Sequence, residues 1–513
     1  MELYMPSNRM KSTSRTHVGH AGHAVCGTLL ILASMQASEL RSPSELKSYE
    51  SSLNRDVPAL LERYRVPSAA IALIQDGRVA YLKTFGLAGS DKPVTKDSVF
   101  GVASLSKLVS AWGVMHLVDI GKLDLDTPIS HYLTAEQLSR FDSISPKITA
   151  RQLLSHTSGV TFRSAGDYWP GDAMPTLEEE LSRKSTTGKP LLRQNKEPGI
   201  DWSYSGGGYG LLQLIVENVT RQTFSQYMRD SVLKPLGMNR SFFGNPETSD
   251  PNRLVKHFDE TGKQTHRLGY ANLAAASFYT TISDFSRLAL ADVTRDGHGI
   301  ITAADFEIME NPAPGTKGTF GLGYFIERLR TGESIVGHDG SDVGWNSMYR
   351  AIPSKRSAFI MLTSSSTGVA VYAKAICGWY QTLHQEQRKD YCNPTGIEIT
   401  VDLYRLGVPA AFQRYTELKT KLGESFSFSE AYWNFIAYEM LRRRDPTSGV
   451  ALFELLTRIF PASANAWDSL GDGYVAAGNR AGALGSYKHA LQIDPTLKSA
   501  QEAVTRLSSS PPQ

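Results

Sequence analysis

A serine and a lysine three residues apart, Ser104 and Lys107 in Phe100-Gly-Val-Ala-Ser-Leu-Ser-Lys107, are the first residues in this sequence whose types and spacing could do chemistry. An alcohol is a weak nucleophile at its own pKa. An amine shielded from water and within reach can take its proton, so the pair is a candidate for attack on a carbonyl carbon. At the start of a helix the spacing sets both side chains on one face, and the helix N-terminus adds a favourable dipole. Taken alone, Ser-x-x-Lys also describes an N-cap serine followed by a surface lysine. Further polar residues stand in Asp201-Trp-Ser-Tyr204-Ser-Gly206, in Gly337-His338-Asp-Gly340-Ser341, and in Leu153-Leu-Ser-His156-Thr-Ser-Gly159.

The elements that must position these residues are legible as patterns. Leu108, Trp112, Met115 and Val118 recur at helical spacing over Ser104 to Ile120, a helix that buries one face, and Gly121 can supply a left-handed C-cap. The apolar runs Ser68 to Ile74 and Val79 to Phe85, separated by Asp76-Gly77, predict a β-hairpin. A second helix is predicted over Gly210 to Asn218, a late strand over Ser357 to Thr363 and an apolar helix over Val369 to Leu383. Helices in the middle with strands near both ends indicate an α+β fold, not a doubly wound sheet.

At 513 residues the chain should hold two or three folded units, and its 41% apolar content can bury enough surface to exclude wholesale disorder. The 54 basic against 51 acidic residues leave +3, and the run Arg442 to Arg444 reads as a solvated helix face, so no nucleic-acid partner is expected. Cys26, Cys377 and Cys392 form no C-x-x-C pair, and no metal or cofactor is expected. Arg9, Lys11 and Arg15 precede the apolar stretch Ala24 to Ala33 and the small-residue sequence Ala33 to Ala37, the order of a secretory signal. That stretch is about ten residues against the ~20 needed to span a bilayer, so no transmembrane span is expected. Residues 1–37 are therefore read as a signal peptide, with export to a periplasmic or extracellular site. The alternative is retention at the membrane by the uncleaved segment. If Cys26 leaves with the leader, Cys377 and Cys392 remain as one pair whose state is open.

An internal repeat appears when the chain is slid against itself by 34 residues: Trp433 meets Trp467, Phe453 meets Tyr487 and Pro461 meets Pro495. Trp467, Leu470, Gly471, Tyr474, Gly478, Ala483, Tyr487, Ala490 and Pro495 resemble the tetratricopeptide pattern, a helix–turn–helix unit. The copy before it is degenerate, and Ala411 to Leu418 is a weaker half-repeat. Since about three units are normally needed for stability, the array is expected to lean on the rest of the chain or on a protein or peptide partner. Residues 400–507 are assigned to it and 508–513 to a disordered tail.

The stretch Phe100 to Leu133 with Leu153 to Gly159, then the tyrosine motif at Tyr204 and the strand motif at His338, resembles the serine β-lactamase and penicillin-binding-protein family, in its class C and esterase branch. The resemblance covers roughly residues 45 to 385, within a 45–390 hydrolase domain. It implies an antiparallel sheet flanked by helices with an all-α subdomain. It implies Ser104 as the nucleophile that forms an acyl-enzyme, Lys107 and Tyr204 sharing its proton, and backbone N–H groups of Ser104 and Ser341 as an oxyanion hole. Which of Lys107 and Tyr204 is the base stays open. With that set present, His156 and His116 read as structural.

Two departures bear on substrate. Gly206 stands where β-lactamases of this branch carry an asparagine, and glycine has no side-chain amide to hold an acylamino group. His338-Asp339-Gly340 stands where they carry Lys-Thr-Gly, which replaces a permanent ammonium by an imidazole. The implied function is therefore a serine hydrolase of small-molecule esters, amides or peptides, of the esterase or D-aminopeptidase-like kind. The alternatives are a class C-type β-lactamase or DD-peptidase, and a catalytically lapsed body displayed beside the repeats.

Overall fold

The computed structural model describes residues 43–509 apart from 90, 142, 162–167, 169–171, 185–189, 246–251, 266–268, 330, 383–391 and 393–394. The expected leader lies outside the described residues. The hairpin forms as predicted, with β1 at Ser68–Gln75 and β2 at Arg78–Gly86. Asp76 and Gly77 both take left-handed backbone, φ 51° and 73°, the requirement of a two-residue turn whose twist matches the strands. Four later strands, β3 (Phe325–Arg328), β4 (Ser334–Asp342), β5 (Trp345–Ile352) and β6 (Ser357–Thr363), complete an antiparallel sheet in the order β2-β1-β6-β5-β4-β3. The sheet closes across the chain where β1 pairs with β6, Ala69 opposite Thr363.

Both faces of this sheet are covered, which is why β1 and β6 read as unbroken apolar runs. Ala70, Ala72, Ile74, Ile360 and Leu362 pack into the core of the central helices, while Ala69, Ile71, Leu73, Phe359 and Met361 meet Tyr49, Leu53 and Val57 of the helix Pro43–Arg63 and Ile376 and Trp379 of the helix Gly368–Thr382. The α+β class follows, and with it the segregation of helices between the strands of the two ends.

The helix expected over Ser104 to Ile120 runs from Ser106 to Asp119 after a single 3₁₀ turn, Ala103–Leu105, and Gly121 ends it at φ 69°. It buries more than one face: every residue from Ser106 to Met115 is buried. Gly113 lets Met228 close in, since a Cβ there would stand 2.3 Å from the Met228 sulfur. The helix expected from Gly210 begins earlier, at Gly206, because the Ser205 hydroxyl caps it through the Gly208 N–H at 3.1 Å and overrides the poor propensity of three glycines.

After residue 395 the chain is helical, in successive antiparallel hairpins that include Glu430–Arg442 with Pro446–Ile459 and Ala464–Ala476 with Arg480–Ile493. Their core is separate, built on Trp433, Ala437, Leu452, Phe453, Leu456 and Leu470, and Gly471 leaves room for the Tyr487 ring. The last helix, Lys498–Ser509, carries order two residues into the expected tail. Cys377 and Cys392 are joined in a disulfide near the junction of the two parts. Among the described residues no helix is long and apolar enough to cross a membrane.

Candidate active site

The short strand Val99–Gly101 delivers the chain into the turn that carries Ser104. Ala103 takes φ 49°, which costs a non-glycine residue about 1–2 kcal/mol, and the kink leaves Ser104 half-buried among fully buried neighbours. Ser106 holds the turn: its hydroxyl donates to the Ala103 carbonyl at 2.5 Å and accepts the Phe278 N–H at 2.9 Å. Strand β4 is pressed against the same turn. A Cβ at Gly340 would lie 1.8 Å from the Val102 carbonyl oxygen, which also accepts the Ser347 hydroxyl at 2.8 Å. Only glycine permits that approach, and it brings Ser341, exposed on the same strand, alongside the serine turn.

Lys107 is 2% exposed, and its Nζ lies 3.1 Å from Ser104 Oγ and 2.7 Å from the Ala275 carbonyl oxygen. Burial pushes its pKa down to about 7, and the Asp342 carboxylate pulls weakly the other way. A neutral amine has two N–H donors and one lone pair. With one N–H given to Ala275, the lone pair can turn to the serine proton.

The Lys107 Nζ stands 4.9 Å from the centre of the Tyr204 ring. Burial holds the Tyr204 phenol far above its usual pKa, with the Ser104 hydroxyl opposing that rise and Asp339 reinforcing it. The phenol meets Ser104 at less than full hydrogen-bond geometry. His338 is fully buried, its ring centre 6.3 Å from that of Tyr204 and 4.9 Å from that of Phe325. Its Nδ1 donates to the Asp339 carbonyl oxygen at 2.6 Å, since a carbonyl only accepts, so Nε2 carries the lone pair. Burial, then the nearby Lys107 charge, lower its pKa to about 3. The neighbouring Asp339 carboxylate pairs instead with Arg350, at 2.7 Å.

Ser104, Lys107, Tyr204, His338 and the Gly340–Ser341 strand thus converge from three separate stretches of sequence. Gly206 begins its helix beside them, its carbonyl oxygen held by Asn272 Nδ2 at 2.9 Å. His116 stands apart, its Nδ1 2.8 Å from the Ile300 carbonyl oxygen. His156 ends a helix, as its structural reading requires, yet it also packs against Tyr204. Ser106, Asn272, Asp342 and Tyr270 were not singled out in the sequence. Their roles depend on contacts across 60 or more residues, except that Ser106 sits beside the motif itself, where a third small hydroxyl carries no signal.

The family model described as Beta-lactamase matches residues 53–376. Penicillin-binding protein 4 of Amycolatopsis lactamdurans is 29% identical over 239 residues, which cover 43% of this chain and 60% of that protein. The chain thus spans three-fifths of that relative's length. Among solved structures, the octameric penicillin-binding protein homologue from Pyrococcus abyssi aligns with TM-score 0.56 and 24% identity over 67% of this chain and 79% of that one. A penicillin binding protein from Bacillus halodurans aligns with TM-score 0.51 and 22% identity over 64% of this chain and 98% of its own. Both likenesses concern the fold.

Proposed function

The chain belongs to the beta-lactamase family, and from that premise we propose that it is a serine hydrolase that forms an acyl-enzyme through Ser104 on esters or amides. The observation that carries this reading is the buried Lys107 amine, 3.1 Å from Ser104 Oγ and with its pKa brought down to about 7. Near neutral pH a large fraction of it is free base. Tyr204, pushed the other way, keeps its proton, so the reading assigns the base to Lys107 and proton donation toward the leaving group to Tyr204. The Ser104 oxygen attacks the carbonyl carbon as its proton passes to Lys107, Tyr204 gives its proton to the departing alcohol or amine and regains one from Lys107, and water reverses the sequence to release the acid. Backbone N–H groups of Ser104 and Ser341 are the proposed oxyanion donors.

Gly206 and the neutral His338 favour small neutral esters or amides over β-lactams. The same proposal includes export directed by residues 1–37, a hydrolase domain over 45–390, and tetratricopeptide-like hairpins over 400–507 that take a protein or peptide partner. The test is labelling with a fluorophosphonate probe followed by peptide mass spectrometry. Modification of Ser104, lost in Ser104→Ala together with ester turnover, is expected. An unlabelled Ser104 in folded protein, or ester turnover that survives Ser104→Ala, would overturn the reading.

A further inference from the structure

Trp112, on the same helix as Lys107, begins a chain of buried polar contacts that the proposed reaction does not use. Its indole N–H donates to the Tyr324 hydroxyl at 2.9 Å. The Tyr324 O–H in turn reaches the Asp292 carboxyl, to which the Tyr349 hydroxyl also donates, on Oδ2 at 2.5 Å. Asp292 lies in the last turn of the helix Ile282–Thr294, and Glu310 ends the helix Ala303–Glu310. Arg295 joins them: it grips Glu310 with both nitrogens, at 2.6 and 2.5 Å, and its Nη1 stands 3.7 Å from Asp292 Oδ1. The Phe306 ring touches both ends of this chain, 5.0 Å from the guanidinium carbon and edge-on to Trp112 at 5.3 Å.

Asp292, Tyr324 and Tyr349 are fully buried, and Glu310 nearly so. Two carboxylates against one guanidinium would leave a net negative charge here, at the C-terminal ends of two helices, where the backbone dipoles already oppose it. The hydrogen bonds lead to the same count. Asp292 Oδ1 is buried and meets no donor, although it lies within hydrogen-bond reach of Glu310. Two carboxylates only accept, so a single proton between them satisfies both and balances the guanidinium. Burial, then the Asp292 charge, push the Glu310 carboxyl well above its ordinary range, and burial raises Asp292 as well. Of the other titratable groups on the elements packed here, His116 turns to the Ile300 carbonyl, Arg350 pairs with Asp339 and Lys355 with Glu333. The residues that β1 and β6 turn to this side are apolar.

We propose that Asp292 and Glu310 hold one proton between them at neutral pH, and that this shared proton latches the helix carrying Lys107, through Trp112 and Tyr324, to the helices and strand behind it. The connection is short. Gly323, at φ 83°, lays the backbone before Tyr324 against the same helix, where a Cβ would stand 2.7 Å from that of Ala111. In alkali the proton leaves to solvent hydroxide and no other bond changes. What remains is two adjacent buried carboxylates that repel each other, so the latch opens as pH rises. Neither the proton nor the latch depends on the hydrolase reading.

Asp292→Asn places an N–H where the shared proton is proposed, and it should keep the fold. Near neutral pH, the infrared spectrum of the full unsubstituted chain minus that of the variant should show the carbonyl stretch of one protonated carboxyl group. Urea unfolding followed against pH reads the linkage. Above the unfolded values of 3.8 and 4.5 the folded chain keeps a proton that the unfolded chain releases, so stability from the pair falls as pH rises. The folding constant of the unsubstituted chain, divided by that of Asp292→Asn, should therefore drop by up to about tenfold per pH unit until the pair ionises. Amide hydrogen exchange reads the latch: peptides within Ser106–Asp119 should lose protection as the carboxyl signal disappears, and keep it at the same pH in Asp292→Asn. A missing infrared difference overturns the proposal, as does a ratio of folding constants that does not change with pH, or a helix still fully protected once the signal is gone. If Asp292→Asn does not fold, Glu310→Gln takes its place in all three measurements. The spectrum of the unsubstituted chain also decides by itself: no protonated carboxyl near neutral pH means no shared proton.

Discussion

His156 and Tyr204 pack ring against ring, their centres 4.3 Å apart, and the N–H of Ser205, the residue after the tyrosine, donates to His156 Nδ1 at 3.2 Å. The histidine therefore holds the tyrosine from both sides of its backbone: by its ring, and by the bond to the next peptide. Trp202, Tyr209 and Phe320 enclose the same imidazole. Burial, then the charge on Lys107 and the proximity of His338, hold its pKa well below the ordinary histidine value, so it stays neutral while it does so.

Replacing this residue should loosen Tyr204 without touching the serine. His156→Leu leaves the buried Ser205 N–H without an acceptor and should destabilise the protein by about 1–3 kcal/mol. His156→Asn keeps an acceptor and suits the φ of 58°, so it should recover part of that loss. Urea unfolding reads the stability, and kcat for a small ester reads the alignment of Tyr204. A His156→Leu protein with unchanged stability and kcat would show that the contact positions nothing.

The pH profile follows from Lys107. With its folded pKa near 7, kcat/KM for a neutral ester should rise with pH through about 7 as the amine loses its proton. The unfolded chain retains that proton up to about 10.5, so stability from this group rises with pH between the two values. His338, at about 3, and His156 run in the same direction: the unfolded chain gains their protons below about 6.5 while the folded one refuses them, so acid destabilises. A kcat/KM profile flat from about pH 6 to 8 would exclude Lys107 as the base.

Much of this was legible because the relevant signals are local. The hairpin showed in Asp76-Gly77, the late strand in the run Ser357 to Thr363, and the serine–lysine pair in their spacing along one helix. What escaped depends on distant partners. The periodicity of Leu108, Trp112 and Met115 indicated one buried face, because nothing local reveals that Tyr227 and Met228 close over Gly113 or that the Ala274 carbonyl takes the Ser110 hydroxyl. The start of the helix at Gly206 was hidden by glycine propensity, which one serine cap outweighs. Asp342 and Tyr270 lie 72 residues apart and match no pattern until the fold joins them.

Arg443 Nη1 to Glu260, at 2.8 Å, is a mostly buried ion pair between the helical hairpins and the part of the chain before them, with Lys263 to Asp445 at 3.4 Å beside it. Glu260 sits in a turn closed by the Asp259 N–H on the Lys263 carbonyl. Arg443→Ala leaves that carboxylate half-enclosed without its partner and should lower stability by about 1–3 kcal/mol, less than at a fully buried site. Distant from Ser104, it should change kcat/KM for a small ester by less than about threefold. Thermal unfolding and ester kinetics on the same preparation decide it: a large kinetic loss at unchanged stability would mean that the hairpins shape the cleft.

The substrate ranking rests on Gly206 and His338 together. A β-lactam must have its acylamino arm held and its carboxylate paired. Gly206 offers no side-chain amide, and His338, with a pKa of about 3, offers no positive charge at any ordinary pH. The missing neutral amide contact is worth roughly 0.5–1.5 kcal/mol and the missing charge-assisted one roughly 1.5–3 kcal/mol, so the two together should lower specificity for β-lactams by about 30-fold to about 2,000-fold. A small neutral ester needs neither contact. The comparison is kcat/KM for p-nitrophenyl butyrate against a chromogenic cephalosporin, in the unsubstituted chain and in a Gly206→Asn, His338→Lys double variant. The ester should be favoured in the first, and the ratio should move toward the cephalosporin in the second, provided the new lysine is tolerated beside Arg350. A His338→Asn control separates the loss of the imidazole from the gain of charge. Cephalosporin turnover by the unsubstituted chain as fast as that of butyrate would show that neither position limits β-lactam recognition, and that the proposed preference for esters is wrong.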